Sequence, residues 1–321
     1  RELISLVTNA AENAGFNTIV VVVPPNANLI RNVLGNRVKY VVQRKALGTG
    51  HALLQSQQLL KGIDNIAVLH GDVPLIRSET ITCMMKRHVS TVACMTLLSA
   101  KLEDSEDLGR IIRDESGQIT GILESSQVNS TPKSIIEVNS GIYCFQSSWL
   151  WPNLGKLNPS SNGEVFLTDL VAIASEQKMM VDYIQSDQPQ EVLGINTRVQ
   201  MAKAEGYLRQ TLREHWMLSG VTLKDPDSIY IDFDATLGQD TVILPNSHIS
   251  GSSYIGQDCE IGPNTTINNS NIGDKSRIVS SVVENSTVDK DVVVGPFSHI
   301  RSNSHLENKV RVGNFAEVKK S

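Results

Sequence analysis

Three polar side chains in the first quarter of this sequence stand where they could serve one ligand: Gln43, Thr49 and Asp72. Gln43 follows Val38-Lys39-Tyr40-Val41-Val42, a β-branched and aromatic run that predicts a buried strand. Leu47-Gly48-Thr49-Gly50-His51-Ala52 then leads into a predicted helix whose apolar stripe is Ala52, Leu53, Leu59 and Leu60. Asn65-Ile66-Ala67-Val68-Leu69 reads as the next strand, broken by His70-Gly71-Asp72. Ligands of open α/β sheets bind just beyond the carboxyl ends of strands. Two such ends here carry an amide, a backbone-exposing Gly-Thr-Gly and an acid, so the topology draws a polar binding site. The tripeptide alone reads more readily as the start of a helix.

Those residues need a scaffold, and the spacing supplies one. Leu3, Ile4, Val7, Ala10, Ala11 and Ala14 recur at helical spacing, and Gly15 closes that helix. Thr18 to Val23 is a strand stopped by Pro24-Pro25, and Asn28 to Leu34 returns as a helix. Ser78 to Val89 (helix) and Thr91 to Leu98 (strand) continue the alternation, which predicts an α/β fold with a mostly parallel, Rossmann-like sheet. Leu108 to Ile112 and Ile119 to Leu123 flank Asp114-Glu115-Ser116-Gly117 as a hairpin closed by Glu124. Ile135 to Phe145 is strand-like and carries Glu137-Val138-Asn139-Ser140-Gly141. Thr168 or Asp169 is placed to cap a helix running through Ala174, and Val199 to Leu218 is a further helix ended by Ser219-Gly220.

From Ile231 the sequence repeats. Ile231, Leu237, Ile243, Ile249, Ile255, Ile261 and Ile267 are spaced by six. The phase slips near Asn271, resumes at Ile272 and Ile278, and slips again around Val283. Val288, Val294, Ile300, Leu306, Val312 and Val318 complete the series. Hexapeptides of this kind build a parallel β-helix with each aliphatic side chain stacked on the next coil. Three regions follow: an α/β domain over 1–198, a linker helix over 199–220 and the repeats over 221–321.

Length and composition are consistent with two domains. The 321 residues exceed one typical core, and 40% apolar content with 5% aromatics describes a globular protein. A net charge of −5 gives no basic field and argues against nucleic acid as a partner. Cys83, Cys94, Cys144 and Cys259 show neither Cys-x-x-Cys spacing nor a paired framework, so they read as reduced thiols of a cytoplasmic protein. No apolar run approaches membrane-spanning length.

Gln43, the string Leu47 to Ala52, and Gly71-Asp72-Val73-Pro74-Leu75 together resemble the sugar-nucleotide pyrophosphorylases. Within them the chain is similar to the bacterial bifunctional enzymes that acetylate glucosamine 1-phosphate with acetyl-CoA and then uridylylate the product with UTP. Thymidylyl- and adenylyl-transferring relatives share the glycine-threonine pair but not the whole string. The resemblance implies that Gln43, Gly48 and Thr49 hold uracil, since an amide pairs with an imide edge and glycine admits close main-chain approach. It implies that Gly109, Glu124 and Asn139 contact N-acetylglucosamine 1-phosphate, and that Asp72 and Asn196 bind Mg2+, which takes hard oxygen ligands. Arg301 and Lys319 would hold the phosphate of glucosamine 1-phosphate. The family's β-helix is left-handed and assembles as a homotrimer. Its phosphate-holding glycine-rich loop is expected ahead of Arg1, and its acetyl-transfer histidine beyond Ser321. Pro24-Pro25 replaces the family's usual Gly-His pair, and His70 stands where relatives often have Tyr. Two rivals stay open: a single-function pyrophosphorylase for another base or sugar, and a non-catalytic trimeric scaffold.

Overall fold

A computed structural model of the chain describes residues 2–102, 108–124, 136–160 and 163–320. It forms two compact units that part between Ala204 and Glu205.

The first unit opens with α1 (Leu3–Asn13), β1 (Val20–Val23), α2 (Asn28–Leu34) and β2 (Lys39–Val42). Strands β1 and β2 pair in parallel, Val20 opposite Lys39. Then come α3 (Thr49–Gln55), β3 (Asn65–Val68), α4 (Ser78–Thr91) and β4 (Met95–Lys101). Helix α3 is shorter than its apolar stripe suggests. Ser56 Oγ donates to Leu53 O at 2.7 Å and closes the helix, leaving Leu59 and Leu60 in the turns beyond it. The hairpin strands β5 (Arg110–Arg113) and β6 (Ile119–Leu123) precede β7 (Glu137–Gln146). Ile135, the expected start of β7, lies outside the described residues. Helices α5 (Ser147–Leu154) and α6 (Asp169–Glu176), strand β8 (Val181–Gln185) and helix α7 (Arg198–Leu218) complete the order.

The α/β class holds, with two departures from one mostly parallel sheet: β1 and β2 pair apart from the other strands, and two of those others run in reverse. Strand β7 is antiparallel to β3, β4 and β5, while β4 and β8 pair in parallel. Strands β3, β4, β5 and β8 therefore run one way, with β7 threaded among them in reverse and β6 hairpinned back on β5. Ten residues long, β7 reaches β5 near its start and β3 near its end. Its register against β4 shifts between Leu97–Tyr143 and Ser99–Asn139, where Gly141 has φ +76°. That bulge bends the strand and re-aims its side chains. Tyr143, Phe145, Met95 and Leu97 pack on one side of this sheet, and Leu98, Ala100, Val138 and Ile142 on the other. An apolar cavity of about 810 Å³ lies between β1 and β3, lined by Val20, Val22, Ile66 and Val68 among others.

In the second unit the expected repeats form a parallel β-helix of three stacked ladders. Tyr230 pairs with His248, His248 with Thr266, Thr266 with Val282, Val282 with His299 and His299 with Glu317. The phase slips near Asn271 and Val283 are coils shortened at their corners without loss of register. The aliphatic series from Ile231 to Leu306 is buried in one continuous column, against which Val312 and Val318 pack half-buried. Non-glycine corner residues, among them Asp240, Asn246, Asp258, Asn264, Asn269 and Asn285, have positive φ, a conformation Asn and Asp tolerate.

A second six-residue series escapes a reading based on aliphatic residues alone. Thr241, Ser247, Ser253, Thr265, Ser270, Ser276, Ser281, Ser286, Ser298 and Ser304 are all buried. Many of these hydroxyls donate to a nearby carbonyl and accept an N–H from the following coil, as Ser270 does from Ser286 N at 3.1 Å. Ser270→Ala would strand that buried N–H, so a loss of about 1–3 kcal/mol is expected. A denaturation midpoint shifted at unchanged cooperativity checks it; no shift would show the hydroxyl ladder to be incidental.

The units part ahead of the expected Ser219-Gly220 boundary because the end of α7 belongs with the repeats. Trp216 packs on the repeat core, Arg209 lies over the Tyr230 ring, and Arg213 donates to Pro226 O and pairs with Asp227.

Candidate active site

Past the carboxyl end of β2, Gln43 donates its main-chain N–H to Val23 O at 2.9 Å. The loop then reaches Gly48, whose φ of +90° suits glycine. A Cβ at Gly48 would lie 2.5 Å from Val165 O. The close approach that demands glycine is therefore made by the chain itself. Leu47 O accepts Val165 N–H at 2.9 Å, Gly50 N–H donates to Val165 O at 2.8 Å, and Thr49 Oγ1 accepts Leu167 N–H at 3.1 Å. Within this clamp the Gln43 side-chain amide donates to Gly48 O at 3.2 Å and meets His51 Nδ1 at 2.8 Å. Gln43, Gly48 and Thr49 thus come together as expected. His51, assigned no role from sequence, joins them because the first turn of α3 points it back at the strand end.

The next residue along the clamp reaches a second cluster. Thr168 is the cap residue of α6, but its hydroxyl donates to Glu124 Oε1 at 2.5 Å and makes no capping bond. Glu124 lies close enough to Tyr143 that its charge acts on the phenol, which burial keeps neutral by pushing its pKa well up. Tyr143 Oη accepts from Asn139 Nδ2 at 2.7 Å, and Asn139 N–H donates to Gly109 O at 2.9 Å. Four residues apart, Asn139 and Tyr143 share a face of β7 by strand alternation, and the bulge between them brings their side chains within hydrogen-bond reach. Asn139 is 6% exposed, and its Oδ1 is buried with no protein partner among the described residues. A buried acceptor left unmade costs about 1–3 kcal/mol, so this one is ready for a donor. Gly109 is packed tightly too, since a Cβ there would lie 2.9 Å from Ile122 Cγ2.

A third cluster lies past β3. Asp72 O accepts Ile195 N–H at 2.9 Å, which brings the two chain segments together. A Cβ on Gly194 would lie 3.8 Å from Asp72 Oδ2 and 4.0 Å from Asn196 Nδ2, so both side chains converge beside that glycine. Gln200 Oε1 accepts the N–H groups of Asn196 and Thr197, each at 2.8 Å, and fixes this turn at the start of α7. Behind it Arg77 pairs with buried Glu191, joining the segment after Asp72 to the segment before Asn196. One carboxylate and one amide oxygen suit a hard divalent ion that takes its other ligands from phosphate and water. Among the described residues no group of three or more His, Cys, Asp or Glu side chains gathers as a metal cage.

These clusters adjoin. Leu167 ties to Thr49 and its neighbour Thr168 to Glu124, while the His70 imidazole packs over the Gly141 α-carbon of the β7 bulge. In the repeats, Arg301 N–H donates to Val318 O at 3.0 Å, which puts Arg301 and Lys319 on adjacent coils. Both are exposed, and Arg301 pairs with Glu317 at 2.9 Å.

Comparison with known proteins adds to this geometry. Residues 1–217 match the nucleotidyl transferase family, and residues 234–269 match the bacterial transferase hexapeptide (six repeats) family. The chain is 40% identical to the bifunctional protein GlmU of Halalkalibacterium halodurans, over all of this chain and 71% of the relative. It is 40% identical to that of Acetivibrio thermocellus, over 99% of this chain and 70% of the relative. Against that of Clostridioides difficile the identity is 36%, over 99% and 70%.

Proposed function

Because the chain belongs to the bifunctional GlmU family, joining a nucleotidyl transferase part to hexapeptide repeats, we propose a division of two reactions between its units. The first transfers uridylyl from UTP to N-acetylglucosamine 1-phosphate, giving UDP-N-acetylglucosamine and pyrophosphate. The second acetylates glucosamine 1-phosphate with acetyl-CoA, and the repeats associate as a homotrimer. The observation that carries the first reaction is the meeting of Asp72 and Asn196 beside Gly194, next to the Gln43 and Asn139 clusters.

The residues divide the work. Gln43, Gly48 and Thr49 orient uracil. Glu124 accepts sugar hydroxyls, Gly109 closes the same edge, and Asn139 Oδ1 takes the N–H of the acetamido group. The sugar phosphate is largely dianionic near neutral pH, since a phosphate monoester's second pKa is roughly 6. It attacks the α-phosphorus in line, the new O–P bond forms as the bond to the β-phosphate breaks, and pyrophosphate leaves with the electron pair. No protein base is needed, which leaves positioning as the protein's main task. Asp72 and Asn196 would hold a divalent ion, which we take to be Mg2+; bound there, it neutralises phosphate charge. In the repeats Arg301 and Lys319 pair with the phosphate of glucosamine 1-phosphate.

The same reading places the protein in the cytoplasm. Its four cysteines are free, and burial pushes the Cys94 thiol up to about 11 and Cys144 to about 12, which keeps both unreactive. Among the described residues no helix is long and apolar enough to cross a membrane.

The protein expressed from its whole gene is expected to release pyrophosphate from UTP only when N-acetylglucosamine 1-phosphate and magnesium are present. Asn139→Ala should raise KM for the sugar phosphate about tenfold, the cost of one lost hydrogen bond, with KM for UTP unchanged. Equal changes for both substrates would remove Asn139 from the sugar site.

A further inference from the structure

The Gln43 side chain carries one acceptor and one donor group, and which of them faces a base decides what base it accepts. The main chain settles the matter. Gly48 O, a carbonyl, can only accept, so the group 3.2 Å from it is the Gln43 NH2. The same NH2 stands 2.8 Å from His51 Nδ1, so Nδ1 must be an acceptor and the ring proton sits on Nε2. Both N–H bonds of the amide are then spent inside the loop, and Oε1 is the hydrogen-bonding atom left for a ligand. The opposite tautomer would set Nδ1–H against the Gln43 NH2, donor against donor. On the other side of the ring the Gln55 NH2 donates to His51 O at 3.2 Å and lies 3.3 Å from His51 Nε2, a contact half an ångström longer than that at Nδ1, so the 2.8 Å bond at Nδ1 sets the tautomer and the second Gln55 N–H turns away from the ring.

We infer that His51, held as the Nε2–H tautomer, is a specificity-determining positioning residue that turns the Gln43 carbonyl outward and so selects pyrimidines protonated at N3. The inference rests on the uracil assignment made above. Uracil donates N3–H to Gln43 Oε1. Cytosine presents a bare N3 there, acceptor against acceptor, and leaves the site's polar group unmade. Removing Nδ1 leaves only the longer 3.2 Å bond to Gly48 O to hold the amide, so its NH2 turns outward more often, which penalises uracil and relieves the clash with cytosine. His51 touches Gln43 and has no part in phosphoryl transfer, so its loss falls on KM and on the choice of base.

The test compares UTP with CTP in the whole-gene protein and its variants. His51→Leu is expected to raise KM for UTP about tenfold with kcat little changed, and to lower the UTP-to-CTP ratio of kcat/KM by about tenfold or more. His51→Asn, whose Oδ1 can accept in place of Nδ1, should recover most of that ratio. A ratio unchanged in His51→Leu, or equal loss of kcat with both nucleotides, overturns the inference. Gln43→Leu separates the two layers. If it weakens UTP while His51→Leu does not, His51 alone is wrongly assigned; if it leaves UTP untouched, the uracil assignment fails and the His51 role with it. Should His51→Leu fail to fold, imidazole 15N shifts of the unaltered protein decide: Nε2–H is expected, and Nδ1–H overturns the role.

Discussion

Asp72→Ala is expected to lower uridylyl transfer by about a thousandfold or more, since charge stabilisation by a bound metal is worth several kcal/mol. The fold should survive. Asp72 supports its surroundings through the main chain, its carbonyl accepting Ile195 N–H, and alanine keeps that bond. What disappears is the carboxylate that converges with Asn196 beside Gly194. Asp72→Asn keeps the shape and one oxygen but not the charge, so it should fall between the two. Initial rates of pyrophosphate release, with circular dichroism as the folding control, give the answer. Turnover near that of the unaltered protein would take Asp72 out of the mechanism.

Arg77→Ala should produce the largest loss of stability. Glu191 is 1% exposed and its charge is met by Arg77, with Ser186 Oγ no nearer than 3.5 Å. Removing one partner of a buried ion pair costs about 3–5 kcal/mol, because the other charge stays buried alone. The Arg77 side chain is 35% exposed, so water can enter after truncation, and the lower end of that range is expected. Its second pair, with 79% exposed Asp187, adds little. The double change Arg77→Met with Glu191→Leu should recover most of the loss, since no charge is then stranded. Urea unfolding of the three proteins tests this. A single variant as stable as the parent would mean that Glu191 finds another partner.

The repeats were legible because their period is local: each aliphatic residue announces its own inward position, and the two phase slips reappear as shortened coils. The strand ends bearing Gln43 and Asp72 were legible for a similar reason, since a β-branched run followed by a breaker marks where a strand stops. Less visible was everything that depends on a distant segment. Gly48 reads as a loop glycine, yet its need is set by Val165, more than a hundred residues on. Thr168 reads as a helix cap, yet its hydroxyl goes to Glu124. Strand β8 left no clear signal, and β7 hid its direction because an apolar run is the same read either way. The serine ladder was hidden in plain view: serine is usually exposed, and only the neighbouring coil makes these positions interior. His51 could have been found from Gly48-Thr49-Gly50-His51, since a residue on the first turn of α3 faces back across the loop.

The ladders of the second unit also bear on how that unit can form. Hydrogen-bonded partners within a ladder are only 16 to 18 residues apart in sequence, as in Thr266–Val282 and Tyr230–His248. Closing a loop of that size carries a modest entropy cost, and every coil repeats the same short closure. A single coil cannot bury its aliphatic residues, so the difficult step is the first contact between two of them. Once that contact exists, each further coil meets a finished template of main-chain groups and stacked side chains. Assembly can then begin at any point along the stack and spread in both directions, in the manner of a one-dimensional lattice. The first unit has no such freedom: its clamp at Val165 and its β7 pairings join segments far apart in the chain, and they must be found before they give any return.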